Sequence, residues 1–125
     1  MTQVKSELFT DLTQEQCQTV EGGLFVLISG IQALKAGADL IGKDETYIKV
    51  DGQKIWGPEK MGTGQFRSVN RGLDVGSTGK VDLFDEDVFR DDYMGGFTVS
   101  SPTNDGNAIV SGSGSRYRVF YKAFA

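Results

Sequence analysis

Residues Asp51 and Gly52 separate "TYIKV" (46–50) from "QKIW" (53–56), and this short stretch constrains the fold more than any other. An Asp-Gly step between two runs of β-branched and aromatic residues marks a two-residue hairpin, because that turn needs positive φ at both central positions. "LFVLISGIQAL" (24–34) is rich in β-branched residues and broken by Gly30, which predicts a strand. A helix over 24–41 is the alternative, since Leu24, Leu27, Ile28, Ile31 and Leu34 also share a helical face. "FRSV" (66–69), "KVDLF" (80–84), "GFTVS" (96–100), "NAIVS" (107–111) and "RYRVFYKAF" (116–124) add further strands. In the last, Tyr117, Val119, Tyr121 and Ala123 share one face, while Arg116, Arg118, Phe120 and Lys122 share the other. This alternation marks a half-buried antiparallel strand, and its aromatic residues, with Trp56, are read as core. "GTG" (62–64), "GSTG" (76–79), "NDGN" (104–107) and "SGSGS" (111–115) are read as the connecting loops.

These runs predict an all-β chain: a compact antiparallel β-sandwich of about eight strands over residues 24–125, preceded by a short helical segment in 1–23. The 17 glycines against 2 prolines suit a turn-rich chain, and 125 residues suffice for one domain with its own core. A formal net charge of −4, with no basic run, argues against a nucleic-acid partner. Histidine is absent and Cys17 is the one cysteine. Most routes to nucleophilic or general acid–base catalysis are thereby lost, as are structural zinc and an internal disulfide. A non-enzyme is expected. Residues 1–23 lack the apolar core of a Sec-type signal, and "LFVLISGIQAL" is too short to span a bilayer before Lys35.

The first 23 residues differ in character from the rest. Of the chain's 17 acids and 13 bases they hold four acids (Glu7, Asp11, Glu15, Glu21) and one base (Lys5), leaving a body with a net charge of −1. Thr13 followed by Gln16 gives a capping-box start, and Gly22 is a helix stop. Leu12, Cys17 and Val20 lie on roughly one side of that helix. The stretch resembles the double-glycine leader of bacterial peptides exported by peptidase-containing ABC transporters. Leu12, Cys17 and Val20 fall on the pattern's three apolar positions, and Gly22-Gly23 on its cut; Cys17 departs from the usual Leu or Met. An ordinary N-terminal helix capped by glycine is the alternative. The resemblance implies an exporter partner, a cytoplasmic precursor and a secreted product that begins at Leu24.

"DLFDEDVFRDDYMGG" (82–96) places Asp85, Glu86, Asp87, Asp91 and Asp92 within eight residues. Such a cluster needs full solvation or a counter-charge. An EF-hand fails, because Phe89 and Arg90 stand where its third acidic ligand and its glycine belong. A loop joining two strands fits better: Asp85 and Asp87 point the same way, and Asp91 or Asp92 returns to the same point. Calcium takes six to eight oxygens in a flexible shell, so this loop is half a site. The other half is sought in "ALKAGADLIGKDETYIKV" (33–50), with Asp39, Asp44 and Glu45. A wet acidic turn without an ion is the plainer reading.

Together "DLIGKDETYIKV" and "DEDVFRDDYMG" resemble the C2 domain, the calcium- and phospholipid-binding β-sandwich named after a region of protein kinase C. The resemblance implies Asp39, Asp44 or Glu45, Asp85, Asp87 and Asp92 as calcium ligands, with Asp91 a substitute. It covers two blocks, and the intervening "GPEKMGTGQFRSVNRGLDVGSTG" lacks the family's usual Asn-Pro and Trp. Leu40 and Ile41 in the first loop, and Val88 and Phe89 in the second, are candidate membrane contacts if the tips project. Alternatively Leu40 and Phe89 fold inward and seal the end of the sandwich. The expected function is a secreted calcium-binding module engaging a membrane or cell surface. Its rivals are a bacteriocin-like precursor with "GGLFVLISGIQALKAGADLIG" as a membrane-active segment, and an adhesive domain stapled by calcium.

Overall fold

The computed structural model describes residues 23–37 and 43–125. They form eight strands: β1 (Leu24–Lys35), β2 (Lys43–Val50), β3 (Gln53–Gly62), β4 (Phe66–Val75), β5 (Gly79–Asp85), β6 (Asp92–Val99), β7 (Thr103–Gly112) and β8 (Ser115–Phe124). Two four-stranded antiparallel sheets result, one ordered β4-β1-β8-β7 and the other β3-β2-β5-β6. The expected β-sandwich is the observed fold.

The hairpin read from Asp51-Gly52 joins β2 to β3, with φ of 49° and 80° at the two turn residues. Ser113-Gly114 repeats the device between β7 and β8, with φ of 52° and 85°. Residues 24–35 are a strand, not the alternative helix, and β1 is hydrogen-bonded on both sides, to β4 and to β8. Alternate residues of β1 face inward: Leu24, Val26 and Ile28, then Ile31 and Ala33 after a register shift between Ile28 and Gly30. Ile48 and Val50 of β2, Val81 and Leu83 of β5, and Met94 of β6 meet them from the other sheet. Tyr117, Val119 and Ala123 complete the core from β8, and Trp56 and Tyr121 pack against it half-buried.

β3, β6 and β7 are among the strands that run past their sequence-based limits. β3 runs on to Gly62 through Gly57 and Pro58, which strand patterns exclude from a sheet interior but tolerate at an edge. Gly57 is required: at φ 88°, a Cβ there would lie 2.4 Å from the Thr46 carbonyl oxygen. "NDGN" belongs to β7 rather than to a loop, because an irregularity between Thr103 and Gly106 absorbs the turn-forming residues. β6 begins at Asp92, ahead of the expected Gly96, so Gly95-Gly96 lie inside a strand. Among the described residues no helix is long and apolar enough to cross a membrane.

Candidate functional site

The acidic segment 86–91 connects β5 to β6 at one end of the β3-β2-β5-β6 sheet. Register decides what its flanking carboxylates can do. Thr46 pairs with Asp85, and Asp85 pairs with Asp92, so these three stand in a row across β2, β5 and β6. Directly opposite residues of an antiparallel pair share a face. That face is the inner one, since Asp85 alternates with buried Leu83 and Asp92 with buried Met94. Asp44, two residues before Thr46, lies on the same face, diagonal to Asp85 at a typical separation of about 7–8 Å.

Asp44 is fully buried, and its Oδ2 accepts hydrogen bonds from Ser115 Oγ at 2.8 Å and from Tyr117 OH at 2.7 Å. Because Tyr117 gives its one proton to Asp44, the Thr46 hydroxyl donates in its 2.8 Å contact with Tyr117 OH. Burial pushes the Tyr117 phenol well up, and the neighbouring Asp44 carboxylate pushes it further. This network ties the two sheets together beneath the acidic loop. Removing a donor from a buried carboxyl group costs about 1–3 kcal/mol. Asp85 Oδ1 accepts the Glu45 N–H at 2.6 Å, which holds the ends of β2 and β5 together.

The loop itself is anchored on the other face. The Glu86 N–H donates to the Glu45 carbonyl at 2.8 Å, and the Asp87 N–H to Asp91 Oδ1 at 3.1 Å. Tyr47 OH donates to Asp91 Oδ2 in a short hydrogen bond. That hydrogen bond, with help from the Asp87 N–H, holds the Asp91 carboxyl below its ordinary range. Burial first, and Asp91 second, push the Tyr47 phenol up. The Tyr47 ring stacks on Phe84 at 5.2 Å, and Phe84 meets Tyr93 at 5.3 Å. Between these anchors Val88 and Phe89 project into solvent, 88% and 96% exposed. Phe89 does not fold inward to seal the sandwich.

The candidate ligands therefore divide. Asp44, Asp85 and Asp92 share the inner face, with exposed Asp87 at the root of the loop and its Oδ1 accepting the Val88 N–H at 2.6 Å. Asp91 turns to the outer face toward Tyr47, and Glu45, one residue out of phase with Asp44, belongs to that face too. Asp39, Leu40 and Ile41 lie outside the described residues, as do Leu12, Cys17, Val20 and Gly22; Gly23 sits half-buried just before β1. Among the described residues no three carboxylates are already gathered around one point. The donor set nevertheless suits a hard cation, offering carboxylate and hydroxyl oxygens without histidine. The pairing of Asp85 with Asp92 sets two carboxyl groups opposite one another on the inner face. Sequence reasoning misses Ser115 and Tyr117 as partners of Asp44, because no local pattern links residues more than 70 positions apart.

No protein-family model and no curated protein matches this chain. Solved structures do. One C2 domain is 16% identical with a TM-score of 0.56, over 82% of this chain and 98% of that one. A structure of the two C2 domains of extended synaptotagmin 2 is 17% identical with a TM-score of 0.58, over 82% of this chain and 40% of that one. A calcium-bound structure of the same pair of domains is 16% identical with a TM-score of 0.54, over 82% and 45%. Likeness at such low identity speaks for architecture. The described residues form a C2-like β-sandwich domain.

Proposed function

We propose that this chain is a calcium-binding C2-like module, made as a precursor and exported, that presents the Val88–Phe89 tip to a phospholipid membrane or cell surface. The reading is carried by one observation: a solvent-facing apolar pair rises between Asp85 and Asp92, which pair directly across β5 and β6. Asp85, Asp92, Asp87 and Asp44 would hold the ion, joined by Asp39 from the loop before β2. Bound calcium supplies the positive charge that offsets this carboxylate field and lets an anionic membrane approach. Tyr47 and Asp91 hold the loop root on the outer face, so the tip keeps its aim. Val88 and Phe89 bring apolar surface that gains about 25 cal/mol for each Å² removed from water. Nothing in this scheme makes a bond, and the module acts by binding rather than by catalysis.

The double-glycine reading adds processing after Gly23 and release of residues 24–125. Mass spectrometry of culture supernatant tests it, with a product starting at Leu24 as the expected result. Calcium binding is tested by thermal melting of the full chain. Millimolar calcium should raise the melting temperature over that in chelator, and Asp85→Asn with Asp87→Asn should erase the rise. Co-sedimentation with phosphatidylserine vesicles in calcium, lost with Phe89→Ala, is expected of a membrane module. A calcium-dependent melt without vesicle binding would favour the stapled adhesive domain, and dye leakage caused by residues 24–125 the antagonistic precursor.

A further inference from the structure

We propose that the acidic N-terminal segment, residues 1–22, docks on the outer face of the β4-β1-β8-β7 sheet within the same molecule. The two sheets face each other across the core, so the outer side of this one has no second layer among the described residues. It is unusually apolar for an outer face. Phe25 and Leu27 of β1 and Phe120 of β8 are partly buried yet stand outside the core. Phe66 and Ile109, on the flanking strands β4 and β7, are 55% and 46% exposed. Two rings lie over glycines: Phe25 covers Gly72 and Phe66 covers Gly30, where a Cβ would come within 2.5 Å of each ring. Phe66 also meets Phe120 edge-on at 5.9 Å.

The charge of this face identifies the occupant. Arg118 pairs in register with Gln32, and Lys122 with Leu27, so both bases rise from β8 beside the apolar residues; Arg116 follows at the far end. Asp74, opposite Phe25, is the acid on the facing edge strand. The segment joined to β1 is complementary, with four acids against Lys5. Continued back from Thr13 at about 100° per residue, the helix puts Leu8, Phe9, Leu12 and Val20 on about a third of the circumference. Asp11 and Glu15 follow Leu8 along one border of that stripe, while Glu7 and Glu21 lie on the opposite side. Attachment also limits where the segment can go, because Leu24 is the first residue of β1 and its N–H donates to the Gly76 carbonyl at 3.2 Å. A helix of that length reaches roughly 33 Å at about 1.5 Å per residue, against about 40 Å for the twelve residues of β1. Apolar stripe, opposite charge and tether agree on one surface. The inference is independent of calcium binding and of cleavage after Gly23.

Cys17, the one cysteine, gives a clean probe. A nitroxide attached there in the full chain should broaden amide signals of Leu27, Phe120 and Lys122, and spare those of Lys49 and Asp82 on the other sheet. Arg118→Glu with Lys122→Glu should abolish the broadening while the melting temperature holds, and Asp11→Lys with Glu15→Lys should restore it. Broadening that is absent, or that falls on the β3-β2-β5-β6 face, overturns the proposal. So does broadening that persists when the nitroxide and the isotope label are on separate molecules, since a second copy would then be the occupant.

Discussion

The outer faces of the two sheets solve the same problem in opposite ways. On β3-β2-β5-β6 the aromatic rings are flanked by their own polar neighbours. Tyr47 donates to Asp91, Tyr93 donates to Asp82 at 2.8 Å, and Lys80 reaches Asp82 at 2.8 Å. Lys54 lies over the Tyr47 ring at 4.4 Å and Lys49 over Phe84 at 5.3 Å. On β4-β1-β8-β7 the rings lie on glycines, and the bases stand beside them without capping them. The first face is finished by hydrogen bonds and charge; the second leaves its rings uncapped. Within one sandwich, the neighbour each ring finds decides whether its face is capped by polar groups or left open.

Substitutions can break this contrast, and the largest effect belongs to Gly96. A Cβ there would sit 2.2 Å from Asp82 Oδ1 and 2.4 Å from the Val81 carbonyl oxygen. Backbone cannot yield cheaply, so Gly96→Ala should cost about 1–3 kcal/mol in urea denaturation. Gly30→Ala is the matched control on the other face. Its nearest obstacle is the solvent-facing Phe66 ring, which can swing aside, so it should cost clearly less than Gly96→Ala. Tyr47→Phe comes next: losing the hydrogen bond to Asp91 should cost about 0.5–1.5 kcal/mol, with faster hydrogen exchange at Asp87. Lys80→Met should be the smallest. Its pair with Asp82 is exposed, and the thermal melt should not move measurably.

The strands are readable where chemistry is local. Asp51-Gly52 announces its turn, and the alternation of residues 116–124 assigns faces that the buried Tyr117, Val119 and Ala123 bear out. β3 is harder, because Pro58 is admitted by its place at the edge of a sheet, and that place is a tertiary property. The carboxylate end shows the same limit. The spacing of Asp85 and Asp87 points to the loop between β5 and β6, but which of Asp91 and Asp92 shares their face depends on phase. A register shift between Asp82 and Phe84 sets that phase by bringing Asp92 opposite Asp85. Nothing near Asp44 in the sequence points to Ser115 and Tyr117, whose hydroxyls reach it across the core.

The rim of the sheet at β3 has a consequence for concentrated solutions. An open strand offers dangling amides and carbonyls on which another molecule can grow, the starting point of polymers. Here Pro58 removes one amide, register shifts interrupt the ladder between Thr46 and Lys49, and Lys54, Glu59 and Lys60 line the border with charge. These are the features that blunt chain-to-chain growth along an open edge.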